Sequence, residues 1–320
     1  MQHRPKVLIA GCGAIGSVMG CLLRQAGHDV ALLGRGWHLK AVRTGGLTVD
    51  GIWGHHQASG FHIATDAAEL SGAYDLIIFA VKSFDTESMI DAVGTRLNEN
   101  GLALSMQNGL GNIEALAAYF GAGRSLGANV LVGAEISAPG KARVTVQASP
   151  IIIGPLELSD CVVLESIHGW TRSFLEAKIP CTATRHILSH LWAKVFYNAP
   201  LNALGALLNV HYGALGEDPE LRAIMDGIID EAFTVAAQRG VELLWESAAS
   251  YRGSFYGQLL PPTYGHRSSM LQDLQRGRRT EVDAINGRIW QYGQDLGVAT
   301  PYNETMTRLI QQREKAQGLM

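Results

Sequence analysis

A chain of 320 residues with 47% hydrophobic and 17% charged residues has the composition of a compact protein with room for two domains, which excludes a disordered protein. Its formal net charge of -3 provides no basic field for nucleic acid, so we expect no nucleic-acid partner. The chain shows neither CxxC nor Cys/His spacing among Cys12, Cys21, Cys161 and Cys181, which argues against a metal site or a disulfide framework and is typical of a reducing cytosol.

The first predicted elements are a strand at 7–10, a glycine-rich turn and a helix. Gly11, Gly13 and Gly16 have the spacing of the dinucleotide-binding fingerprint: the first allows a tight turn, the second lets the backbone approach a pyrophosphate, and the third lets the helix pack close to its strand. An ordinary glycine-rich turn is the alternative, but the position between two strands favours a nucleotide site, with the helix N-terminus facing the phosphates. The predicted cofactor-binding residues here are Gly11, Cys12, Gly13, Ala14, Ile15 and Gly16.

The apolar run 7–23 also follows basic residues and contains a faint lipoprotein-type box at 18–21, as a secretion signal would. Four glycines interrupt the run, and its length is marginal for a membrane span. We therefore expect a cytoplasmic protein with no membrane partner.

The end of the second predicted strand, 30–33, indicates which dinucleotide to expect. NAD sites usually carry Asp or Glu there, whereas NADP sites carry Arg. Arg35 stands at this position, with His38 and Lys40 close behind and no acid until Asp50. Because a guanidinium binds a 2′-phosphate through charge-assisted hydrogen bonds, the sequence predicts NADP(H); a solvated loop arginine is the alternative.

Two short strands, 47–49 and 61–64, are predicted around a polar turn. We see no acidic or cysteine companion for His55 and His56 in this turn, so we interpret it as a solvated hairpin and not as a metal site.

Two continuous apolar runs, 75–81 and 102–106, are typical of parallel strands buried on both faces. They end at Lys82 and near Asn108, and ligands of doubly wound sheets bind outside the carboxyl ends of the strands. We therefore predict that Lys82 contacts the cofactor and that Asn108 contacts the cofactor or its substrate. A solvent-facing lysine and an Asn-Gly turn are the alternatives.

Further strands at 129–132, 142–146 and 151–154 suggest antiparallel additions to this sheet. After a crossing segment at 179–184 the pattern changes to long helices, which places a domain boundary near residue 186. The predicted domains are a Rossmann-like, NADP-binding domain at 1–185 and a helical domain for substrate and catalysis at 186–320.

The helical half opens with Lys194, Asn198 and Asn202, which recur every fourth residue. Each step of four residues rotates only about 40°, so these side chains form one polar stripe on an otherwise apolar helix. A substrate cavity would supply partners for such a stripe, whereas a snorkelling lysine with two satisfied core asparagines is the alternative. Pro200 should kink this helix or free a carbonyl.

Next come a scaffold helix at about 219–240 and an aromatic, proline-rich segment at 245–266. For this segment a lid and an oligomer contact, for instance in a homodimer, are both open. Ser269 and Gln272 have capping-box spacing, so Ser269 is predicted to begin a helix and to receive a substrate carboxylate; a serine that merely caps is the alternative. Glu281 would lie about 120° around that helix if it continued, so the two residues need not share a face.

Taken together, these motifs resemble the 2-dehydropantoate 2-reductase (ketopantoate reductase) family over nearly the whole chain. The stretches that carry the resemblance are Gly11–Gly16, Val81–Ser83, Gln107–Gly111, the Lys194, Asn198 and Asn202 stripe, Ser268–Asp273, and Thr280–Asp283 with Ile285–Gly287.

The resemblance implies an NADPH-binding Rossmann domain joined to an all-helical domain like that of 6-phosphogluconate dehydrogenase. It implies that Lys194 is the general acid assisted by Glu281, and that Asn198, Asn202 and Ser269 hold the substrate. Lys82 and Asn108 would lie near cofactor and substrate. The segment at 245–266 departs from the family pattern, so the resemblance implies the chemistry and leaves open which acid is reduced.

The expected reaction is therefore NADPH-dependent reduction of a small 2-oxo acid, foremost 2-dehydropantoate to (R)-pantoate in pantothenate biosynthesis. One alternative is a reductase on the same scaffold for a bulkier or aromatic 2-oxo acid of the mandelate type. Another is an NADP-binding sensor without turnover, although a sensor would need the glycine turn and not an acid catalyst.

Overall fold

The computed structural model describes residues 5–157 and 161–320, except for the side chains of 161–163. The described chain divides into two compact units. The first extends to Gln107 and resumes from Asn112 to Ile187, and the second comprises Asn108–Gly111 and Leu188–Met320.

Within the described residues, the first unit combines twelve strands with five α-helices. The strands are β1 (Lys6–Ala10), β2 (Asp29–Leu33), β3 (Leu47–Gly51), β4 (His56–Ala58), β5 (His62–Ala64), β6 (Tyr74–Phe79), β7 (Leu97–Ser105), β8 (Ser125–Asn129), β9 (Val132–Ala138), β10 (Lys141–Gln147), β11 (Ile151–Pro155) and β12 (Cys181–Ala183). The helices are α1 (Ala14–Gln25), α2 (Gly36–Gly45), α3 (Thr86–Val93), α4 (Asn112–Phe120) and α5 (Cys161–Glu176).

Eight strands form the main sheet, in the order β12-β11-β8-β7-β6-β1-β2-β5. All neighbouring pairs are parallel except β11 with β8. The central strands β1 and β6 are apolar and buried on both faces, as helix-covered parallel strands must be. The predicted Rossmann-like doubly wound sheet is therefore confirmed, and the crossing segment at 179–184 contains its edge strand, β12.

The expected series of antiparallel additions is wrong for two of its three strands. The predicted strand at 129–132 is divided between the end of β8 and the start of β9, and β9 and β10 join β3 and β4 in a separate four-stranded sheet. In β10, buried Ala142 and Val144 alternate with exposed residues. Such a half-buried strand suits a sheet that is covered on one face, and this sheet packs on α1.

The predicted hairpin is correct only for its first strand, β3, because β3 pairs with β4, which lies inside the predicted turn. The predicted strand at 61–64 corresponds to β5, which pairs with β2 in the main sheet. The β3–β4 hairpin is only half solvated. His55 is exposed and lies 2.6 Å from Asp50, an acidic companion that we did not expect. His56 is buried and hydrogen-bonds to Gln25 Oε1 at 2.8 Å and to the Trp53 carbonyl at 2.9 Å. The described residues contain no group of three or more potential metal-binding side chains.

The second unit is helical. Its helices are α6 (Ile187–Leu208), α7 (Tyr212–Glu217), α8 (Pro219–Gln238), α9 (Ala248–Ser254), α10 (Ser269–Gln275), α11 (Asn286–Leu296) and α12 (Pro301–Ala316). Helix α6 runs uninterrupted through Pro200 and carries the buried residues Trp192, Val195 and Phe196. Helix α8 begins at an Asp218 cap that accepts the amides of Glu220 and Leu221, and it fills the place predicted for a scaffold helix.

The aromatic segment at 245–266 contributes aromatic side chains to the second unit's core. Tyr251 and Phe255 are fully buried, and Tyr251 packs against Phe196 and Phe233. The alternatives of a lid and an oligomer contact therefore concern the exposed residues of the segment, which are most frequent at 261–266.

Among the residues that the structure describes, no helix combines the length and the apolar character that a membrane crossing requires. Three thiols, Cys12, Cys21 and Cys181, are buried and unpaired, whereas the Cys161 side chain lies outside the described set.

Candidate functional site

The glycine turn after β1 is shaped by the space that its three glycines leave. Gly11 has a φ of 107°, and a Cβ there would lie 2.6 Å from the Val81 amide nitrogen. A Cβ on Gly16 would collide with the Gly11 carbonyl, so α1 packs against the turn only because Gly16 has none. A Cβ on Gly13 would have no neighbour within 4 Å. The open side of the turn is therefore at Gly13, where the fingerprint expects the pyrophosphate.

Helix α1 begins directly at this open side. Its N-cap, Gly13, supplies no side-chain hydrogen bond, and the first-turn residues Ala14, Ile15 and Gly16 head the helix. The first N–H groups of a helix have no intrahelical partner and lie at the positive end of its dipole. The turn thus fits the diphosphate of a dinucleotide, with Cys12 facing inwards: burial raises the pKa of its thiol to about 11, so it stays protonated.

Arg35 lies at the end of β2, as predicted, and forms the N-cap position of α2. It is exposed, and the structure shows no hydrogen bond or ion pair of its guanidinium within the described ranges. Lys40 is also exposed on α2. His38, in contrast, is buried, and burial lowers its pKa, so it adds no positive charge to a phosphate site. The 2′-phosphate interpretation therefore depends on Arg35 and Lys40.

Lys82 belongs to the first unit, close to the carboxyl end of β6. It is half-buried and precedes a 3-10 turn, Ser83–Asp85. The carbonyl before it, on Val81, accepts a hydrogen bond from Gln107 Nε2 at 3.2 Å, which ties the ends of β6 and β7 together. Lys82 thus lies where the sequence places it, at the ligand-binding edge of the parallel sheet.

The second unit joins three of the predicted residues in one chain of contacts. Lys194 Nζ on α6 donates to Asn108 Oδ1 at 2.7 Å, and Asn108 Nδ2 donates to Glu281 Oε2 at 3.2 Å. Asn108 reaches this position because the Leu110 amide donates to the Ala284 carbonyl at 2.8 Å, close to Glu281. The Asn108 side-chain amide therefore bridges an ammonium and a carboxylate. Its orientation is the one in which the oxygen faces the ammonium and the nitrogen faces the carboxylate.

Two opposing effects determine the charge of Lys194. Burial lowers the pKa of its ammonium to about 8, and the negative charge of the buried Glu281 opposes that decrease. A lysine with this pKa is still protonated at neutral pH and gives up its proton more readily than an exposed lysine. The arrangement is thus suited to a general acid.

The two asparagines of the stripe differ in their surroundings. Asn198 is half-buried, and no hydrogen bond from its side chain to the rest of the described chain is present. Asn202 is buried, and its Oδ1 accepts from the Tyr212 hydroxyl at 2.7 Å. Asn198 is therefore available to a ligand, whereas Asn202 is at least partly engaged in the core.

Helix α10 begins at Ser269, as predicted, but its cap is the residue before. Ser268 is the cap of α10: it is buried, and its Oγ accepts from the Leu271 amide at 3.0 Å. Gln272 bonds to the Arg267 carbonyl at 3.2 Å, so the expected capping box is wrong. Burial of Leu271 sets the rotation of the helix and selects the earlier serine. Ser269 is left as the first helical residue, with an exposed hydroxyl.

Glu281 is supported by a residue that the sequence analysis missed. The helix that begins at Ser269 does not continue to Glu281, because α10 ends at Gln275 and Glu281 precedes a short 3-10 turn. Glu314 on α12 is fully buried and accepts from the Thr280 amide at 2.6 Å. No local pattern could have revealed this contact, because Glu314 lies in an ordinary charged helix end.

Two family models match the chain. The model described as "Ketopantoate reductase PanE/ApbA" matches residues 7–157, and its C-terminal counterpart matches residues 186–314. A 2-dehydropantoate 2-reductase from Aquifex aeolicus is 37% identical over 309 residues, which cover 97% of each chain.

Solved structures agree with these matches. A PanE/ApbA family ketopantoate reductase from Ralstonia eutropha is 31% identical, with a TM-score of 0.85 over 98% of this chain and 99% of that chain. A ternary complex of D-mandelate dehydrogenase with NADH and anilino(oxo)acetate is 25% identical, with a TM-score of 0.86 over 98% of this chain and 100% of the other.

Proposed function

The chain belongs to the ketopantoate reductase family of oxidoreductases, and from that premise we propose that it reduces 2-dehydropantoate to (R)-pantoate with NADPH. This step would serve pantothenate and coenzyme A synthesis. The observation that carries the proposal is the Lys194 ammonium held 2.7 Å from Asn108 Oδ1, with Glu281 as the next group. A reductase needs such an acid, whereas an NADP-binding sensor does not.

The proposed domains are a cofactor domain at 1–185 and a substrate domain at 186–320. In the first, the residues from Gly11 to Gly16 would hold the diphosphate, and Arg35 would hold the 2′-phosphate. The open space at Gly13 and the exposed guanidinium support this assignment. Lys82 and Asn108 would complete the cofactor contacts. When bound, NADPH supplies the hydride that the ketone carbon receives.

Lys194 would donate its proton to the ketone oxygen as negative charge develops there. Its pKa of about 8 leaves it mostly charged at neutral pH, so it can both polarise the carbonyl and supply the proton. Asn108 would aim the ammonium, because its Oδ1 accepts from Nζ. Glu281 would keep the lysine protonated, since its charge raises the pKa that burial lowers.

The carboxylate of the 2-oxo acid would be held by Ser269, whose hydroxyl is exposed at the start of α10. Asn198 has an uncommitted amide on the same helical stripe as Lys194 and would bind the substrate directly. Asn202 would contribute more weakly, because Tyr212 occupies its Oδ1. Holding the acid at several points fixes which face of the ketone is reduced.

One specific observation favours a second candidate. D-mandelate dehydrogenase, whose solved complex contains NADH and anilino(oxo)acetate, has a fold as similar to this chain as that of the Ralstonia eutropha ketopantoate reductase, with TM-scores of 0.86 and 0.85. An aromatic 2-oxo acid is therefore the alternative substrate, and NADH the alternative cofactor. The absence of an acid at the Arg35 position supports NADPH over NADH.

A steady-state panel tests both assignments. Turnover is measured with NADPH and with NADH, each against 2-dehydropantoate and benzoylformate. We expect the highest kcat/KM for NADPH with 2-dehydropantoate. A preference for benzoylformate would show that the substrate is an aromatic 2-oxo acid, and a preference for NADH would show that the proposed cofactor is wrong. Tight NADPH binding without any turnover would favour the function of an NADP-binding sensor.

A further inference from the structure

A buried chain of hydrogen bonds runs through the first unit behind the glycine turn. The Gly140 amide donates to His38 Nδ1 at 3.2 Å, His38 Nε2 lies 3.0 Å from Ser17 Oγ, and Ser17 Oγ lies 3.4 Å from Cys12 Sγ. Ser17 and His38 are both essentially inaccessible to solvent. The chain thus links the β9–β10 turn, α2, α1 and the middle of the glycine turn.

The backbone amide at one end determines the direction of this chain. An N–H can only donate, so Nδ1 of His38 is the acceptor, and in a neutral imidazole the other nitrogen, Nε2, then carries the proton. Burial lowers the pKa of His38 and keeps it neutral. Nε2 therefore donates to Ser17 Oγ, which leaves the Ser17 proton to point at Cys12 Sγ.

The same residues surround Arg35. The His38 amide donates to the Arg35 carbonyl at 3.1 Å, so His38 lies in the first turn of the helix that Arg35 caps. On the other side, a Cβ on Gly34 would lie only 2.9 Å from the Cys12 Cβ, so the backbone just before Arg35 is packed against the glycine turn. The Ser17–His38 hydrogen bond closes this ring of contacts.

From this ring we propose that Ser17 and His38 are positioning residues that set Arg35 at a fixed distance from the glycine turn and thereby select the 2′-phosphate of the cofactor. The inference builds on NADP(H) as the proposed cofactor. The diphosphate and the 2′-phosphate are attached to the same ribose, which limits the distance between them, so a shift of α2 relative to the turn weakens the second contact while the first is retained. A histidine that only fills the core would instead affect all dinucleotides equally.

Two substitutions break the link between His38 and Ser17, and a third keeps it. Ser17→Ala removes the acceptor. His38→Asn retains an acceptor near the Nδ1 position for Gly140 and loses the donor to Ser17, whereas His38→Gln keeps a donor near the Nε2 position. His56→Asn is the matched control, because His56 is also buried but hydrogen-bonds to Gln25, at the far end of α1.

Dissociation constants for NADPH and NADH are measured by calorimetry without substrate, so turnover is not needed. We expect Ser17→Ala and His38→Asn each to weaken NADPH binding about five- to tenfold, as the loss of one buried hydrogen bond does, and NADH binding less than twofold. The variant that combines Ser17→Ala with His38→Asn should bind NADPH no more weakly than either single variant. His38→Gln and His56→Asn should keep the NADPH-to-NADH ratio of the wild type, even if His56→Asn lowers Tm.

A second measurement follows Cys12, at the other end of the chain of hydrogen bonds. The Ser17 hydroxyl that donates to Cys12 Sγ lowers the pKa of the thiol, which burial raises. Alkylation of Cys12 by iodoacetamide, located by mass spectrometry, should therefore become several times slower in Ser17→Ala, while alkylation of the buried Cys21 stays constant as an internal reference. An unchanged or faster alkylation of Cys12 would contradict the direction of this hydrogen bond.

The measurements distinguish a wrong cofactor from a wrong role for Ser17 and His38. If the wild type shows no preference for NADPH, the proposed cofactor is wrong and this inference is lost with it. If the wild type prefers NADPH and the ratio is unchanged in Ser17→Ala and His38→Asn, only the positioning role is overturned. An equal loss of both cofactors would also overturn it, because that result indicates a general defect of the fold.

Discussion

The glycine turn of the first unit and the Lys194 cluster of the second are built in opposite ways. The turn is six consecutive residues whose proposed function depends on missing side chains and on backbone N–H groups. The cluster is three polar side chains, and Glu281 lies 173 residues from its partner Asn108. The turn should therefore be sensitive to added volume, and the cluster to a change of charge at constant volume.

The largest effect should come from removing the acid. Lys194→Ala is expected to lower kcat about 10²- to 10⁴-fold, the usual contribution of a positioned general acid, while the NADPH dissociation constant stays within about twofold. Steady-state kinetics and direct binding measure the two quantities. Lys315→Ala, an exposed lysine of the same unit, is the control. Near-normal turnover in Lys194→Ala would remove the assigned role.

The next largest effect should follow from neutralising Glu281 at constant shape. Glu281→Gln keeps an acceptor for Asn108 but removes the charge that raises the Lys194 pKa, and hydrogen bonds to charged groups predict a loss of about 10- to 100-fold in kcat.

The pH profile of the same variant gives the sharper test. Because the reaction needs protonated Lys194, kcat/KM of the wild type should fall as the pH rises through about 8. In Glu281→Gln the Lys194 pKa is lower still, so this decrease should begin at a lower pH. Glu304→Gln, which alters a surface pair with Arg308, should leave the profile unchanged. An unshifted profile in Glu281→Gln would mean that Glu281 does not act through the lysine.

Added volume should break the turn in two distinguishable ways. Gly13→Ala places a methyl group in open space, so we expect an unchanged Tm and about tenfold weaker NADPH binding, since the pyrophosphate can no longer approach the backbone. Gly16→Ala collides with the Gly11 carbonyl and should lower Tm by several degrees, as overpacking costs about 1–3 kcal/mol. Tight NADPH binding by Gly13→Ala would contradict the assignment of the turn.

The smallest effects should separate the two neighbouring serines. Ser268→Ala removes a buried cap worth about 1 kcal/mol, which predicts a Tm lower by about 2–4 °C with little change in KM. Ser269→Ala should leave Tm unchanged and raise KM for the 2-oxo acid severalfold. Thermal melts and steady-state kinetics measure the two quantities. A lower Tm for Ser269→Ala and a higher KM for Ser268→Ala would exchange the roles of the two serines.

The sequence predicted best those features that depend on neighbouring residues. The glycine spacing indicated the turn, and continuous apolar runs indicated β1 and β6, because doubly buried parallel strands have no polar face. It predicted β10 as a strand but not its sheet, since alternation between buried and exposed residues does not identify the partner strand.

Features that depend on distant residues were beyond local patterns. The stripe of Lys194 followed from helical spacing, but its contact with Asn108 joins residues 86 apart in the chain. From its position in the sequence alone, His38 was interpreted as a second basic group near Arg35. A backbone amide 102 residues away, on Gly140, helps to bury it instead. Of the two adjacent serines, the burial of Leu271 selected the cap, which spacing cannot reveal.

The depressed pKa of Lys194 also affects how the protein withstands alkaline conditions. Between pH about 8 and 10.5 the unfolded chain holds a proton on this lysine that the folded chain has released. Over that window, therefore, each rise in pH favours the native state at this position. The same deprotonation removes the proton that Lys194 would donate in the reaction. At this one position, therefore, the pH that favours folding and the pH that favours the reaction differ.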